Sequence, residues 1–342
     1  MKKIRVLIVD DSLLFREIFS KMLNSDPNIE VVATAADAFE ARDKLLQYHP
    51  DVMTLDVQMP KMNGIEFLRR LMPQYPIPTI VISGTDDSDD SDDSVFEAIS
   101  LGAVDFVKKP DGNIVVNGKE FFDDLIFKVK IAAAAKVQKE KNVIRKPVIE
   151  ERISHSKKKI VAIGASTGGT VAITNLLEGI SPPIPPILIV QHIPPVFSNM
   201  FAQRLNEIFS FDVKEAESGD LVLPGRVLIA PGNKHMIAKK VGSTVKVECF
   251  EGEKVNGHCP AVDVLFDSMA AFGSEVVGVI LTGMGYDGAK GLLKMRKQGA
   301  YTIGQNEKSS VVYGMPKVAY SIGAVEIQLS LEQIAGKINS VV

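Results

Sequence analysis

The chain has 342 residues, 46% hydrophobic and 24% charged, with a net charge of −3. That length suits two or three domains, and the slightly acidic balance excludes a strongly cationic surface for nucleic acid or an anionic membrane. The two cysteines, Cys249 and Cys259, lack metal-knuckle spacing and disulfide density, which fits a reducing compartment such as the cytosol.

The first apolar run, Ile4–Val9, is too short for a signal h-region or a membrane span. Further strand-like runs follow at Ile29–Ala33, Val52–Leu55, Thr79–Ile82 and Val104–Val107. Between them, Leu13–Leu23 and Phe39–Leu46 carry apolar residues at spacings of three and four, the helical period. Five βα units predict a doubly wound parallel α/β sheet with helices on both faces. Ligands of such sheets bind beyond the carboxyl ends of the strands.

Those ends carry a pattern. Asp10 and Asp11 follow the first strand, Asp56 the third, Ser83 the fourth, and Lys109-Pro110 the fifth. Clustered carboxylates repel, and a hard divalent ion such as Mg2+ would hold Asp10, Asp11 and Asp56 together. Asp56 could then act as a carboxylate nucleophile on phosphorus, with Ser83 and Lys109 bonding the new phosphate oxygens. The plainer reading makes Asp10-Asp11 a helix cap and Lys109 a surface charge. On these motifs, residues 1–128 resemble a response-regulator receiver domain. The resemblance implies that a histidine kinase phosphorylates Asp56, that Phe106 is the switch aromatic moving with Ser83, and that the Lys109-Pro110 bond is cis.

After the fourth strand, residues 86–94 repeat Asp-Asp-Ser three times. Six close carboxylates predict a solvated, mobile loop. Phe121–Lys141 reads as a last helix, running past residue 128 to about 141, and residues 142–157 become polar and basic, as an interdomain linker would.

The remaining residues, 158–342, again predict a parallel α/β sheet. Strand-like runs fall at Ile160–Ile163, Ile187–Val190, Val227–Ala230 and Val276–Leu281, and helical patterns at Val196–Phe209, Val262–Ala271 and Ala289–Lys297. Gly164-Ala165-Ser166-Thr167-Gly168 fits the strand–turn–helix nucleophile turn G-x-S-x-G. It lacks the Gly-Lys-Ser/Thr of a phosphate loop and the spacing of a dinucleotide fingerprint. A bare glycine-rich turn is the plainer reading. Among five histidines, His192 directly follows a strand and should share the sheet edge with Ser166, which makes it the best general base. Asp287 lies in the glycine-rich turn after Val276–Leu281 and can orient that base, or simply cap a helix. Asp263 and Asp267 sit at helical spacing and read as surface or capping residues. The order Ser, His, Asp differs from that of α/β-hydrolases.

Gly164-Ala-Ser-Thr-Gly-Gly, Gln191-His-Ile-Pro, Ala230-Pro-Gly, Val262-Asp-Val-Leu-Phe, Leu281-Thr-Gly-Met-Gly-Tyr-Asp-Gly-Ala and Tyr313-Gly-Met-Pro are together similar to the CheB family of chemotaxis protein-glutamate methylesterases. The resemblance spans the whole chain. It implies that Ser166 attacks a receptor glutamate methyl ester, His192 takes its proton, Asp287 orients His192 and the Met284 N–H donates in the oxyanion hole. It further implies glutamine deamidation, no cofactor for hydrolysis, and Mg2+ for receiver phosphorylation only. The implied partners are methyl-accepting chemotaxis receptors and a chemotaxis histidine kinase, with no nucleic acid and no membrane insertion, in the cytoplasm and transiently at receptor arrays. The receiver is expected to inhibit until Asp56 is phosphorylated. Residues 255–261 depart from the basic, arginine-containing form expected there, which bears on receptor recognition. Two other classes fit less of the sequence: a receiver joined to a small-ester hydrolase, and a regulator that acts by binding, such as a transcription factor. The latter lacks a basic recognition helix.

Overall fold

Runs of apolar residues without polar interruption form strands buried on both faces, as parallel sheets require. The computed structural model describes residues 3–84, 89–109, 114–134 and 159–342. The chain divides into two units, Met1–Ile144 and Arg145–Val342.

The first unit alternates strand and helix: β1 Ile4–Val9, α1 Leu13–Leu23, β2 Ile29–Ala35, α2 Ala38–Tyr48, β3 Val52–Asp56, α3 Gly64–Leu71, β4 Thr79–Ser83, α4 Asp89–Ser100, β5 Asp105–Lys108 and α5 Ile114–Ala134. The sheet is parallel with order β2-β1-β3-β4-β5, the expected doubly wound form. Its helix starts carry side-chain caps: Asp37 accepts from Phe39 and Glu40 N–H, and Asn63 from Glu66 N–H. One expectation is corrected. Asp89–Ser94 do not form a loop but open α4. Acidic residues are favoured in a first helical turn, where the N–H groups of the backbone are unpaired. Asp86–Ser88, the Lys109-Pro110 bond and residues 142–157 lie outside the described residues.

The second unit contains β6 Ile160–Ala165, α6 Gly169–Glu178, β7 Ile187–Gln191, α7 Phe197–Ile208, β8 Asp212–Glu215, β9 Arg226–Ile229, β10 His235–Val241, β11 Thr244–Phe250, α8 Val262–Met269, β12 Val276–Ile280, α9 Ala289–Lys297, β13 Tyr301–Gln305, α10 Met315–Ser321, β14 Ile327–Leu329 and α11 Leu331–Val341. Seven strands form a parallel sheet of order β14-β13-β12-β6-β7-β9-β8, and β10 pairs with β11 as an antiparallel hairpin. From β6 the chain runs outward through β7 in one direction and through β12 in the other. That reversal opens a crevice at the carboxyl ends of β6, β7 and β12. One face of the sheet is sealed by α8, α9 and the hairpin, through Val262, Leu265, Phe266, Leu292, Met295, Met236 and Val247.

Candidate active site

Two sites sit at strand ends, one in each unit. In the first unit, Asp10 follows β1, Asp56 closes β3 and Lys109 follows β5. Lys109 is not a surface charge. Its Nζ reaches Asp10 Oδ2 at 2.9 Å and Asp56 Oδ2 at 2.8 Å, and lies 4.4 Å from the centre of the Phe15 ring. Asp10 and Asp56 are buried while Asp11 is exposed, and one oxygen from each of the three can lie within 4.8 Å of the others. This all-oxygen set suits Mg2+. Burial pushes the Asp56 carboxyl up to about 6, with Asp10 adding to the rise and Lys109 opposing it. Ser83 is buried beside this cluster at the end of β4, and its Oγ approaches the Gly84 carbonyl at 3.4 Å. Phe106 is buried in β5, its ring 6.5 Å from that of Phe96. The Phe106 carbonyl accepts a 2.6 Å bond from Lys128 Nζ on α5.

In the second unit, β6 and β7 pair with Ala165 opposite Gln191, so Ser166 and His192 leave adjacent strands at the same level. The His192 N–H donates to the Ala165 carbonyl at 3.1 Å, and Gln191 Nε2 to the Ser166 carbonyl at 2.9 Å. On the other side, the Ser166 N–H donates to the Thr282 carbonyl at 3.0 Å. Gly283 passes Ser166 so closely that a Cβ there would lie 2.7 Å from Ser166 Cβ and 2.4 Å from Met315 Sδ. Only glycine fits this approach. The loop after β12 therefore lies against the serine and delivers Met284 and Asp287 to the same crevice. The Met284 N–H has no acceptor among the described residues.

Asp287 is 1% exposed. Its Oδ2 receives His192 Nε2 at 2.8 Å and the Val262 N–H at 2.7 Å. Its Oδ1 receives Asn256 Nδ2 at 2.8 Å, the Gly288 N–H at 3.0 Å and the Asp263 N–H at 3.1 Å. Asp287 thus caps a helix as well as meeting the histidine, but the helix is α8 rather than the α9 that follows it. Burial pushes its carboxyl up; the His192, Asn256 and Val262 bonds outweigh that and hold it below the usual carboxylate range. A carboxylate that accepts from Nε2 places the imidazole proton there. His192 Nδ1 is left a buried acceptor with no hydrogen-bond partner.

Residues 161–338 match the family model described as CheB methylesterase, and residues 6–115 that of the response regulator receiver domain. A protein-glutamate methylesterase/protein-glutamine glutaminase 2 of Syntrophomonas wolfei is 54% identical over 335 residues, covering 98% of this chain and 96% of that protein. One from Sulfurimonas denitrificans is 47% identical over 346 residues, covering 98% of each. The chain belongs to the CheB methylesterase family. The crystal structure of the Thermotoga maritima CheB methylesterase catalytic domain aligns with a TM-score of 0.53 and 39% identity over 54% of this chain and 98% of that one.

Within this CheB-family chain the structure brings Ser166, His192, Asp287 and the Met284 loop to one crevice, and gathers Asp10, Asp11, Asp56, Ser83 and Lys109 at one edge of the receiver sheet. Three neighbours escaped the sequence reading. Asp263, expected at the surface or as a cap, is buried and acts as a cap on the start of α9, its Oδ1 accepting the Gly291 N–H at 2.7 Å. Burial, with Asp287 adding, pushes its carboxyl up against the Gly291 bond. Asn256 Nδ2 bonds Asp263 Oδ2 at 2.7 Å as well as Asp287. The His258 ring stacks on His192. The signal that would have found the first two is the recurrence of polar residues within a few positions of the apolar stripe Val262, Leu265, Phe266. Cys259 is no activated nucleophile, since burial pushes its thiol up.

Proposed function

We propose that this protein hydrolyses the γ-methyl esters of glutamate side chains on chemotaxis receptors, releasing methanol, and deamidates receptor glutamines by the same chemistry. The observation that carries the reading is the polarity of His192: Nε2 is committed to Asp287 while the buried Nδ1 is left without a partner. An acceptor in that position takes the proton of the Ser166 hydroxyl as Oγ attacks the ester carbonyl. Charge then develops on the carbonyl oxygen, where the Met284 N–H donates. The tetrahedral species collapses as His192 returns the proton to the departing methoxide. A water molecule, deprotonated by His192, then hydrolyses the glutamyl-serine ester and frees the glutamate. With glutamine the leaving group is ammonia and the remaining steps are the same. Asp287 keeps the imidazole in its tautomer and stabilises the imidazolium.

The receiver supplies the switch. Asp56 accepts a phosphoryl group from a histidine kinase; Asp10, Asp11 and Asp56 would hold Mg2+, which when bound offsets the charge of the phosphoryl oxygens. Ser83 and Lys109 bond the phosphate, and Phe106 moves with Ser83. The working division is a receiver over residues 1–128, a linker over 142–157 and a catalytic domain over 158–342. Unphosphorylated receiver inhibits the catalytic domain, and phosphorylation shifts the population toward the active form. The protein acts in the cytoplasm and visits receptor arrays; among the described residues no helix is long and apolar enough to cross a membrane.

The test is methanol release from methylated chemoreceptor membranes, with and without a small phosphodonor and Mg2+. Release should rise with the phosphodonor and vanish in Ser166→Ala. Absence of release from the intact protein in both conditions would move the assignment to a small-ester hydrolase or a binding module. A chain beginning at Lys157 should be active without phosphodonor; one no faster than the unphosphorylated full chain would rule out inhibition by the receiver.

A further inference from the structure

We infer that the turn Val255–His258 is a clamp on the triad, with Asn256 and His258 as positioning residues for Asp287 and His192. The inference rests on the Ser166–His192–Asp287 reading above.

The turn is built to be rigid. Val255 and His258 exchange both backbone hydrogen bonds at 3.0 Å. The two residues between them, Asn256 and Gly257, have φ of 54° and 86°. Positive φ at both centres, with the sequence Asn-Gly, is the type I′ signature. The flanks are tied to β10 through His235: its Nε2 lies 2.9 Å from the Glu253 carbonyl, and its Nδ1 accepts the Ala261 N–H at 3.2 Å.

From this turn two side chains reach the two supporting members of the triad. An amide nitrogen has two hydrogens, and both of Asn256's are used, at 2.8 Å on Asp287 Oδ1 and 2.7 Å on Asp263 Oδ2. Asp263 and Asp287 are neighbouring buried carboxylates, and a neutral double donor between them screens one from the other. It also fixes the plane of the Asp287 carboxylate, which aims Oδ2 at His192. The second side chain, His258, lies parallel to His192 with ring centres 3.7 Å apart and planes 12° apart. It covers one face of the imidazole and stops the ring tilting away from Asp287. Burial first, then His192, push His258 down to about 4, while Asp287 opposes and Lys254 adds to the fall. The stacked ring therefore stays neutral at working pH.

The experiment uses the full chain with acetyl phosphate and Mg2+, and reads methanol release from methylated chemoreceptor membranes with kcat and KM separated. Asn256→Gly keeps the turn, because glycine accepts the same φ without strain, and removes only the amide. It should lower kcat on the order of 10- to 100-fold with KM unchanged. Asn256→Asp adds a third carboxylate and should be slower still above neutrality. It should recover in part relative to wild type as pH falls, because a protonated carboxyl donates one of the two missing hydrogen bonds. His258→Phe retains a stacking face and should stay within about threefold of wild type, whereas His258→Ala should lose roughly tenfold. Wild-type kcat in Asn256→Gly and His258→Ala, with Ser166→Ala inactive, would overturn the clamp and leave the triad standing. An Asn256→Asp loss that ignores pH, or a His258→Phe loss equal to that of His258→Ala, would reduce the turn to a merely structural element and also overturn it. Activity retained in Ser166→Ala would instead sink the triad reading itself.

Discussion

The two halves of this chain each bury an aspartate at the carboxyl edge of a parallel sheet, and treat it in opposite ways. Asp56 is 3% exposed and Asp287 1% exposed, so burial alone does not separate them. Their donors do. Asp56 is bonded by Lys109 and by the Gln58 N–H at 3.3 Å, and has Asp10 beside it. Asp287 is surrounded by three backbone N–H groups, an amide and an imidazole. The first carboxyl is pushed up to about 6 and the second is held low. The difference matches the chemistry proposed for each. A carboxylate that must attack phosphorus keeps lone pairs free and remains under-solvated. A carboxylate that must hold a histidine has its oxygens occupied and its charge secured.

The sharpest way to break this contrast is to remove the groups it serves. Ser166→Ala should lower kcat by about 10^5- to 10^6-fold, read as methanol release, with the thermal midpoint unchanged. Asp287→Asn should cost about 10^4-fold. It should also destabilise the catalytic half by about 1–3 kcal/mol, because its NH2 must face at least one of the donors now bonded to Asp287. Urea unfolding measures that loss; an Asp287→Asn protein as stable as wild type would mean the five donors are not all engaged. Gly283→Ala should fall between these and no effect. Its methyl group meets Ser166 Cβ and Met315 Sδ, and a shift of the serine by about 1 Å costs about 10^2-fold in kcat. Wild-type activity there would show that the β12 loop does not set the position of the nucleophile.

Much of this was legible before the structure, and for a physical reason. Asp10, Asp56, Ser83, Ser166 and His192 each end a plain apolar run, and a parallel sheet brings the ends of its strands to one edge. Sequence order therefore implies spatial neighbourhood. What was not legible reaches the site without a strand beneath it. Asn256 and His258 come on a turn whose partners are distant in sequence, Asp287 lying 31 residues from Asn256 and His192 lying 66 from His258. Helical spacing left Asp263 as a surface or a capping position; it is buried and caps the start of α9, a different helix from its own, which spacing alone does not show. β13, Tyr301–Gln305, escaped notice because its interior is partly polar. Gln305 is fully buried, and its Oε1 accepts the Thr282 N–H at 2.7 Å, so a residue that breaks the apolar pattern serves the catalytic loop. β10 and β11 were missed because lysines at 239, 240 and 246 interrupt the apolar pattern of a two-stranded hairpin: Lys239 and Lys246 pair on its outer face, and the exposed Lys240 ends the buried row of Met236 and Ala238.

The remaining effect concerns Asp56 and is one of stability, with no change of catalytic rate. Its carboxyl titrates at about 6 in the folded receiver against 3.8 ordinarily. Between those values the folded state holds more protons than the unfolded chain, so stability falls as pH rises through the window, by on the order of 3 kcal/mol in all. Asp56→Asn removes the titration. The stability of the variant relative to wild type should therefore grow as pH rises from about 4 to about 6 and flatten above, read by pulse proteolysis of the receiver at each pH. Mg2+ at neutral pH should stabilise wild type and leave Asp56→Asn nearly unmoved, because an ion that binds only the folded site adds stability by mass action. A difference that stays flat across the window would mean that Lys109 alone neutralises Asp56, and the contrast with Asp287 would then be one of partners and not of charge.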